Sequence, residues 1–598
     1  MLGSYSYSLR NASAATKVLK EIFMKSRLIL VLLAVFVVMS FLLTSCATTD
    51  YSDVNISPPF SKGVNMLTWF ETWDENKLPD LNKFDEADFA CLKNMGVDVM
   101  RLAVHFELLM EPLYTGKIKE RVFEKLDEVC DWAEKYQIYL VIDDHSFNSE
   151  EWDGNPPSWD LNKEHLESVW SQVAQRYKYR SEYIIYEIRN EPEGRGEVTP
   201  EKWVKLQGEI IDVIRTYDTK HAIVVSGSDF SSIDTLAKMK PYKDPNLIYT
   251  FHFYEPMLFT HQGATWIGEG FSETSGIPFP YDRSKMPKLS SSAKQNPWLV
   301  DMYNNYSQLG TEKYINSRIK KAANWAKKNN VRIWCGEIGA KIWTNAEDRL
   351  AWISTTVSVL NKYGIPYCTW GIDGSDGFLN GDTGSEIFPD DIDKEALEAY
   401  GFSMPYSTLA AQCNSSLKQF PQQPFIVHDG FAGKGTSFGI YGSVASTTSY
   451  DSHQECMKVS LPGENNNGWY FQIAQRIWDE IIENKDALCI SLSVKFTNKN
   501  QSFTIGLVDN DEGEAALPWA VEYGLKASDY DLYEWIDIEI PLTKFYETGA
   551  WSGITQKWYS PEGRFDWSRL NQLRILFNDF ENAMSGDIYI DDVVIKMK

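Results

Sequence analysis

Short apolar runs alternate with amphipathic helical stretches between residues 62 and 372. In one such stretch, Leu166, Val169, Trp170 and Val173 recur three and four positions apart, which places them on one face of a helix. Eight strands with helices between them predict a (β/α)8 TIM barrel, and a doubly wound open sheet is the alternative. The eight runs are KGVNM (62–66), DVMRLAV (98–104), IYLVIDDH (138–145), YIIYEI (183–188), AIVVS (222–226), LIYTFHF (247–253), VRIWCGEI (331–338) and IPYCTWGI (365–372).

The pattern changes to an alternation of apolar and polar residues in the last third of the chain. SLSVKFTN, SFTIGLVD, WIDIEIPL, LRILFND and GDIYIDDVVIKM read as strands with turn residues between them. Such strands predict an all-β antiparallel sandwich, and the weak signals before them predict a short connector. We therefore expect a barrel at residues 58–400, a connector at 401–423 and a β-sandwich at 424–598.

The N-terminal region carries an export signal. A basic segment, Met24 to Arg27, precedes the apolar run LILVLLAVFVVMSFLL and then Leu43-Thr44-Ser45-Cys46. This ending resembles a bacterial lipoprotein signal with Cys46 as the lipid-bearing residue, and an uncleaved membrane anchor is the alternative. We expect an extension and signal peptide at 1–46, a tether at 47–57, and an exported protein that is anchored to a bacterial membrane or cell surface only through this segment.

Charge and composition exclude some classes of partner. The net charge is 58 − 83 = −25, which argues against binding of nucleic acid or anionic headgroups through a basic surface. The 21 Trp, 31 Tyr and 30 Phe residues instead suit ligands with flat apolar faces, such as sugar rings. Seven cysteines besides Cys46 are scattered singly without zinc spacing, so neither a disulfide framework nor a zinc site is expected. A monomer is the default expectation.

Polar and aromatic residues lie at or just after the C-terminal ends of six predicted strands. In a TIM barrel these ends form the active face, so the residues are expected to surround one mouth. Each alone has an ordinary explanation, such as an ion pair, a buried histidine or a core aromatic residue. The set comprises Arg101, His145, Asn190, Glu191, His252, Tyr254, Glu337 and Trp370.

Two carboxylates in this set suggest glycosidic bond cleavage. Glu191 and Glu337 are 337 − 191 = 146 residues apart in the chain, yet the fold brings them to the same mouth. One would protonate the leaving oxygen and the other would attack the anomeric carbon, with retention of configuration if they lie about 5 to 5.5 Å apart. Glu187 has the alternative role of an ion-pair partner. Strict alternation places Asn190 and Glu191 on opposite faces, so the strand must twist or break there.

The segments RNEP (189–192), HFYEPMLFTHQGATW (252–266), CGEIG (335–339) and CTWGIDG (368–374) together resemble glycoside hydrolase family 5, which contains endoglucanases and mannanases. This resemblance implies that Glu191 is the acid/base and Glu337 the nucleophile. It implies no metal or organic cofactor.

The same resemblance implies roles for the supporting residues. Arg101 and Tyr254 would position the nucleophile, Asn190 would bind the sugar 2-hydroxyl, and Trp370 would form a stacking floor. His145 and His252 would line the central subsites. FTHQGATW is similar to members with both glucan and mannan activity, which makes further subsite candidates of His261, Gln262 and Trp266.

The ending GDIYIDDVVI resembles the last strand of jelly-roll carbohydrate-binding modules, including those of family 11. This resemblance implies sugar binding through exposed aromatics and a structural calcium, for which Asp429 and Asp592 are the candidate ligands. Alternatives are two ordinary turn acids and a sandwich with a purely structural role. The aromatic candidates are Trp469, Tyr470, Trp519, Trp551, Trp558 and Tyr559.

Three functions are compatible with the sequence. The first is a retaining endo-β-1,4-glucanase that hydrolyses cellulose-type or mixed-linkage β-glucans of plant cell walls. The second applies the same mechanism to mannan, glucomannan or xyloglucan. The third is a catalytically silent polysaccharide-binding lipoprotein, against which stands the presence of both carboxylates and their supporting residues.

Overall fold

The structure is a computed structural model that describes residues 55–71, 79–146, 158–193, 199–381, 386–442, 445–451, 454–461, 467–509, 517–552, 555–577 and 584–598. Cys46 and the apolar run before it lie outside these residues. Within the described part of the chain, no helix is long and apolar enough to span a bilayer.

Eight parallel strands close into a barrel, which confirms the predicted (β/α)8 architecture. Around the barrel the order is β1-β8-β7-β6-β5-β4-β3-β2. The strands are β1 (Lys62–Phe70), β2 (Val99–Val104), β3 (Tyr139–Asp144), β4 (Ile184–Glu187), β5 (Ala222–Ser226), β6 (Leu247–Phe253), β7 (Arg332–Ile338) and β8 (Tyr367–Thr369).

The bottom of the barrel is a closed apolar layer. Val99, Val141, Val224 and other residues near the strand beginnings point inward and are buried together with Cys368. Phe60 packs edge-on against Trp334 beneath them, with 5.2 Å between ring centroids. Because this end is filled, polar groups can gather only at the opposite, C-terminal ends of the strands.

Long helices surround the barrel, and their ends carry the expected caps. Asp85 and Asp88 form a capping box at the start of the first helix, which ends at Gly96 with a φ of 97°. The helices are α1 (Glu86–Met95), α2 (Glu120–Tyr136), α3 (Trp159–Tyr177), α4 (Pro200–Tyr217), α5 (Pro297–Leu309), α6 (Glu312–Asn329) and α7 (Ala346–Tyr363). Shorter helical turns are Ser228–Ser231, Ile233–Leu236, Met257–Thr260, Lys394–Ala399, Ser407–Gln412 and Ser415–Gln419.

The C-terminal region consists of antiparallel sheets, as the alternating pattern predicts. One sheet has the order β11-β12-β21-β14-β17, with β9 also paired to β21, and the other has the order β10-β13-β20-β15-β16-β18-β19. The strands are β9 (Phe425–His428), β10 (Thr436–Tyr441), β11 (Ala445–Asp451), β12 (Gln454–Leu461), β13 (Gly468–Ile473), β14 (Leu488–Phe496), β15 (Ser502–Asp509), β16 (Trp519–Lys526), β17 (Ile536–Pro541), β18 (Tyr546–Ser552), β19 (Lys557–Tyr559), β20 (Leu570–Leu576) and β21 (Gly586–Met597), and one helix, α8 (Gln475–Asn484), accompanies them.

The connector is built into this region. Leu417 and Phe420 belong to the hydrophobic cluster that both sheets share. Nearby, the ammonium group of Lys434 donates hydrogen bonds to Asp85 (3.0 Å) and Asp88 (2.7 Å) at the start of α1. Asp88 is fully buried, so its charge depends on this lysine for compensation. The sandwich is therefore held to the barrel by specific polar contacts.

Candidate active site

A buried arginine organises the C-terminal end of the barrel. Arg101 on β2 is fully buried, and its Nε and Nη2 donate to the two carboxylate oxygens of Glu187 at 2.7 and 3.0 Å. Its Nη1 donates to Glu337 at 2.9 Å and to Asn65 at 3.0 Å. Glu187 is thus the ion-pair partner that the sequence allowed. The same guanidinium fixes one carboxylate, Glu337, at the mouth.

Arg101 also connects to the ends of β3 and β4. Its Nη2 lies 3.0 Å from the Asp143 carboxylate and donates to Oδ1 of Asn190, also at 3.0 Å. The backbone N–H of Asn190 donates to the carbonyl of Asp144 at 2.9 Å. Since Oδ1 of Asn190 accepts from Arg101, its amide nitrogen remains the group that can donate toward a ligand.

Glu191 follows a break in the strand. β4 ends at Glu187, and Glu191 has a φ of +34°, in the left-handed region that a non-glycine residue rarely occupies. This break removes the alternation that would have sent Asn190 and Glu191 to opposite faces. Both side chains consequently lie at the mouth, Asn190 buried and Glu191 about one quarter exposed.

His252 lies between the two glutamates. Its Nδ1 is 2.6 Å from Oε1 of Glu191 and 3.3 Å from Oε2 of Glu337. One side-chain oxygen of each glutamate and one ring nitrogen of His252 all lie within 4.8 Å of one another. The pairing of β6 with β7 shifts register between Phe251 and His252, which aims the histidine into the mouth. His252 therefore contacts both carboxylates, and its predicted place along the central subsites stays a prediction.

The two glutamates have different hydrogen-bond donors. The hydroxyl of Tyr254 donates to Oε2 of Glu337 at 2.7 Å, in addition to the bond from Arg101. Burial raises the pKa of both Glu191 and Glu337 to about 7, and it lowers the pKa of His252 to about 4. Two donors favour the anion at Glu337, whereas Glu191 contacts a neutral imidazole. These donors favour Glu191 as the site of a single proton shared by the pair.

Three flat rings, which directly follow β2, β3 and β8, lie nearly parallel to one another. His145 and Trp370 lie nearly parallel, with 5.4 Å between centroids and 22° between planes, and His105 lies 6.1 Å beyond His145. Nδ1 of His145 is 2.6 Å from Asp143, and burial holds the pKa of His145 well below its usual value. His105 is not among the residues predicted from the sequence. It nevertheless directly follows β2, just as His145 follows β3 and Trp370 follows β8.

The other subsite candidates have different positions. Trp266 is half exposed, and its ring is 4.5 Å from the Lys341 ammonium group. His261 packs edge-on against Tyr254 at 5.2 Å, beside the nucleophile candidate. Trp266 is exposed enough to contact a sugar, whereas His261 is buried, and the subsite roles of both stay predictions.

Gln262 does not fit the predicted subsite role. Its side chain is buried, accepts a hydrogen bond from the N–H of Ile277 at 2.8 Å and donates to the Phe259 carbonyl at 3.0 Å. It braces the loop after β6 because all of its amide groups are used there. Its backbone carbonyl accepts from the indole of Trp343, a half-exposed residue that the sequence reasoning missed.

Asp429 and Asp592, the predicted calcium ligands, are neighbours in the structure. Asp429 is partly buried, and burial together with the neighbouring Asp592 raises its pKa, but no third acidic, histidine or cysteine side chain joins them among the described residues. Calcium at this position stays a prediction. The group that could chelate an ion within the described chain is Glu191, His252 and Glu337, whose atoms already contact one another directly.

The barrel part of this chain is similar to proteins of known families. The family model for cellulase, glycosyl hydrolase family 5, matches residues 61–376, which is more than half of the chain. The chain belongs to glycoside hydrolase family 5. It is therefore a glycoside hydrolase. The family match covers all of the residues at the mouth of the barrel that are described above.

Relatives of this family 5 chain include endoglucanases. Endoglucanase 3 of Fibrobacter succinogenes is 32% identical over 332 residues, which span 53% of this chain and 50% of that protein. Endoglucanase C of Acetivibrio thermocellus is 25% identical over 318 residues, 52% of this chain and 90% of that one. The endoglucanase Cel5A of Thermotoga maritima aligns with a TM-score of 0.47 and 27% identity over 57% of this chain and 96% of that structure. The chain thus spans half the length of the first of these relatives.

Replacement of Arg101 tests the network of hydrogen bonds and ion pairs that this arginine forms with Glu187, Glu337 and Asp143. Lysine offers one compact charge instead of a planar fork, so Arg101→Lys leaves buried carboxylates without their bidentate partner. We expect the free energy of unfolding to fall by about 3–5 kcal/mol and the acidic limb of the pH–activity profile to move to higher pH, because Glu337 loses a group that favours its anion.

Tyr254→Phe is the matched comparison. It removes one hydrogen bond from Glu337 and leaves the arginine network complete, so the acidic limb should move in the same direction with little change in unfolding. Urea unfolding and kcat/KM against pH on a soluble aryl glycoside measure both effects. An acidic limb that stays fixed in both variants would contradict the assigned charge distribution.

Proposed function

We propose that this protein is a retaining endo-β-1,4-glucanase. The observation that carries the proposal is the group of side-chain atoms of Glu191, Glu337 and His252 within 4.8 Å. Inverting enzymes need carboxyl groups about 6.5–9.5 Å apart to admit a water between them and the sugar, whereas retaining enzymes hold them at about 5–5.5 Å. The short spacing favours direct attack by one carboxylate.

The first step uses the unequal pair. Glu337, held as an anion by Arg101 and Tyr254, attacks the anomeric carbon, and the bond to the leaving oxygen breaks. Glu191 donates its proton to that oxygen, so the leaving sugar departs as an alcohol. The product is a glycosyl ester on Glu337.

The second step reverses the role of Glu191. As a carboxylate it takes a proton from a water molecule, whose oxygen attacks the anomeric carbon and displaces Glu337. His252, 2.6 Å from Glu191 and neutral near pH 7, keeps the acid oriented through both steps. Both steps use only these side chains, and no cofactor takes part.

The stack of rings supports a β-glucan substrate. Trp370 is partly exposed and lies nearly parallel to His145, and a flat equatorial sugar can stack on an exposed aromatic face. The amide nitrogen of Asn190 is available for the 2-hydroxyl group of the bound sugar. Two relatives are named endoglucanases, which favours glucan over mannan, glucomannan or xyloglucan.

Separate substitutions distinguish the nucleophile from the acid/base. Glu337→Gln should lose activity on barley β-glucan and on an aryl cellobioside alike, by about 10³-fold or more, since no nucleophile remains. Glu191→Gln should lose activity on the polysaccharide but still release an activated dinitrophenol rapidly in a burst, because that leaving group needs no proton.

Rapid-quench kinetics on both substrates distinguish the variants. Carboxymethyl cellulose, xyloglucan and glucomannan, assayed with the wild type, rank the substrates. If the wild type and both variants hydrolyse none of these substrates while β-glucan still retards the protein in gels, the proposal of an enzyme is wrong. The protein is then a polysaccharide-binding protein without catalytic activity.

We propose further that the sandwich binds glucan through one face of the sheet β10-β13-β20-β15-β16-β18-β19. The core-facing side of this sheet contains Trp469 and Trp519, which are buried and therefore do not fit the sugar-contacting role considered for them. The opposite side carries a continuous row across six strands, namely Gly439, Tyr470, Arg574, Gly506, Glu522 and Tyr546.

Glycines let aromatic rings lie flat on this face. A Cβ on Gly439 would come within 2.1 Å of the Tyr470 ring, and one on Gly549 within 3.0 Å of the Trp558 indole. Trp558 and its cross-strand partner Trp551 are each about half exposed. Rings held parallel to a sheet offer their faces to sugars, and this supports binding in preference to a purely structural sandwich.

Trp551→Ala with Trp558→Ala tests this face. In a Glu337→Gln background, the double variant should bind β-glucan about tenfold or more weakly in affinity electrophoresis, as expected when central tryptophans are removed. Tyr533→Ala is the control, because Tyr533 is also exposed but lies outside the sheet. Equal retardation of the double variant and its parent would reject the binding face.

We also propose that the enzyme is exported and lipid-anchored through Cys46, which suits a substrate too large to enter the cell. A lipid-anchored protein should begin at Cys46 and carry the added mass of the lipid on that residue, whereas an uncleaved anchor should keep the apolar run before it. Cell fractionation with mass measurement of the mature N-terminus distinguishes the two.

A further inference from the structure

Two cysteines from distant parts of the chain meet between the barrel and the connector. Cys91 lies in α1, and Cys413 follows the helical turn Ser407–Gln412. Their Sγ atoms are 2.6 Å apart although 322 residues separate them, and both side chains are fully buried. The two cysteines stand singly in the sequence, and their spacing gives no sign that they pair.

We propose that Cys91 and Cys413 form a disulfide bond in the exported protein. Two observations carry the proposal: the Sγ atoms are in direct contact at 2.6 Å, and both side chains are buried, with neither paired to any other cysteine in the described chain. The proposal rests on the proposed export, because a reducing cytoplasm would keep the thiols free.

The chemistry balances through thiol–disulfide exchange. The Cys91 thiolate attacks an external disulfide, such as that of a thiol oxidase outside the cytoplasm, and expels one thiolate. The Cys413 thiolate then attacks the mixed disulfide and releases the second. Two protein thiols are oxidised to one disulfide, and one external disulfide is reduced to two thiols. Because both sulfur atoms are buried in the folded chain, the exchange takes place before this region closes.

The bond would reinforce the junction between barrel and sandwich. Just after Cys413, Leu417 and Phe420 enter the core of the sandwich, while Cys91 shares α1 with Asp88, the partner of Lys434. A covalent link at this point closes a loop of several hundred residues that contains nearly the whole barrel, and long loops restrict the unfolded chain strongly. The glucan-binding face would then keep a fixed direction relative to the cleft.

Peptide mapping tests the bond directly. The full-length protein, isolated from the cell envelope, is alkylated under denaturing conditions without reductant and digested. We expect a linked peptide pair containing Cys91 and Cys413, with a mass 2 Da below the sum of the reduced peptides, and alkylated peptides for the control residues Cys130 and Cys335. Alkylation of both Cys91 and Cys413 in this sample overturns the proposal.

Stability measurements distinguish a bond from mere proximity. Reductant should lower the midpoint of thermal unfolding of the wild type by several degrees and leave a Cys91→Ser, Cys413→Ser double variant unaffected. Equal responses of the two proteins would contradict the bond.

The outcome is separable from the proposed enzyme function. A protein that carries the link but hydrolyses no glucan counts against the glucanase alone. If the protein stays in the cytoplasm, the export proposal fails, and refolding with oxidised glutathione followed by the same peptide map decides whether the two cysteines pair.

Discussion

The structure depends on one buried positive charge. Arg101 lies inside the barrel without access to water, and an isolated guanidinium there would be costly. Asp143, Glu187 and Glu337, from three other strands, provide its countercharge. Each acid can contact the arginine only if the end of its strand lies level with Arg101 along the barrel axis. This one charge therefore fixes the relative positions of the strand ends.

This pairing also distributes charge between the carboxylates. Glu337 is bonded to the arginine and to Tyr254, whereas Glu191 follows a strand break and contacts His252. Burial is the largest cause that raises the pKa of both carboxyl groups. The asymmetry comes from hydrogen-bond donors. A glycosidase that operates by double displacement needs this asymmetry, since one group must give a proton while the other attacks.

Much of the barrel could be predicted because its pattern is local. Eight apolar runs with polar ends indicate both the fold and the mouth, and a period of two indicates that the strand must twist or break near Asn190 and Glu191. Features that depend on register or on loop conformation could not be predicted. Gln262 turns inward to brace its own loop, and the contact of His252 with both glutamates depends on a register shift between β6 and β7.

The sandwich shows the same limit. Trp469 and Tyr470 are adjacent in the chain and face opposite sides of their sheet, so composition could not say which one meets solvent. The contact between Cys91 and Cys413 has no local signal at all, because it arises only when the connector packs on α1. Long-range contacts of this kind become visible only in three dimensions.

The central claim is that Glu337 forms a covalent bond to the sugar, so that configuration at the anomeric carbon is retained. Proton NMR in the first minutes of hydrolysis of a short cello-oligosaccharide by the wild-type protein tests this claim most directly. The account predicts that the β-anomer of the new reducing end appears first and that the α-anomer grows in later by mutarotation. Initial release of the α-anomer would show inversion and contradict the account.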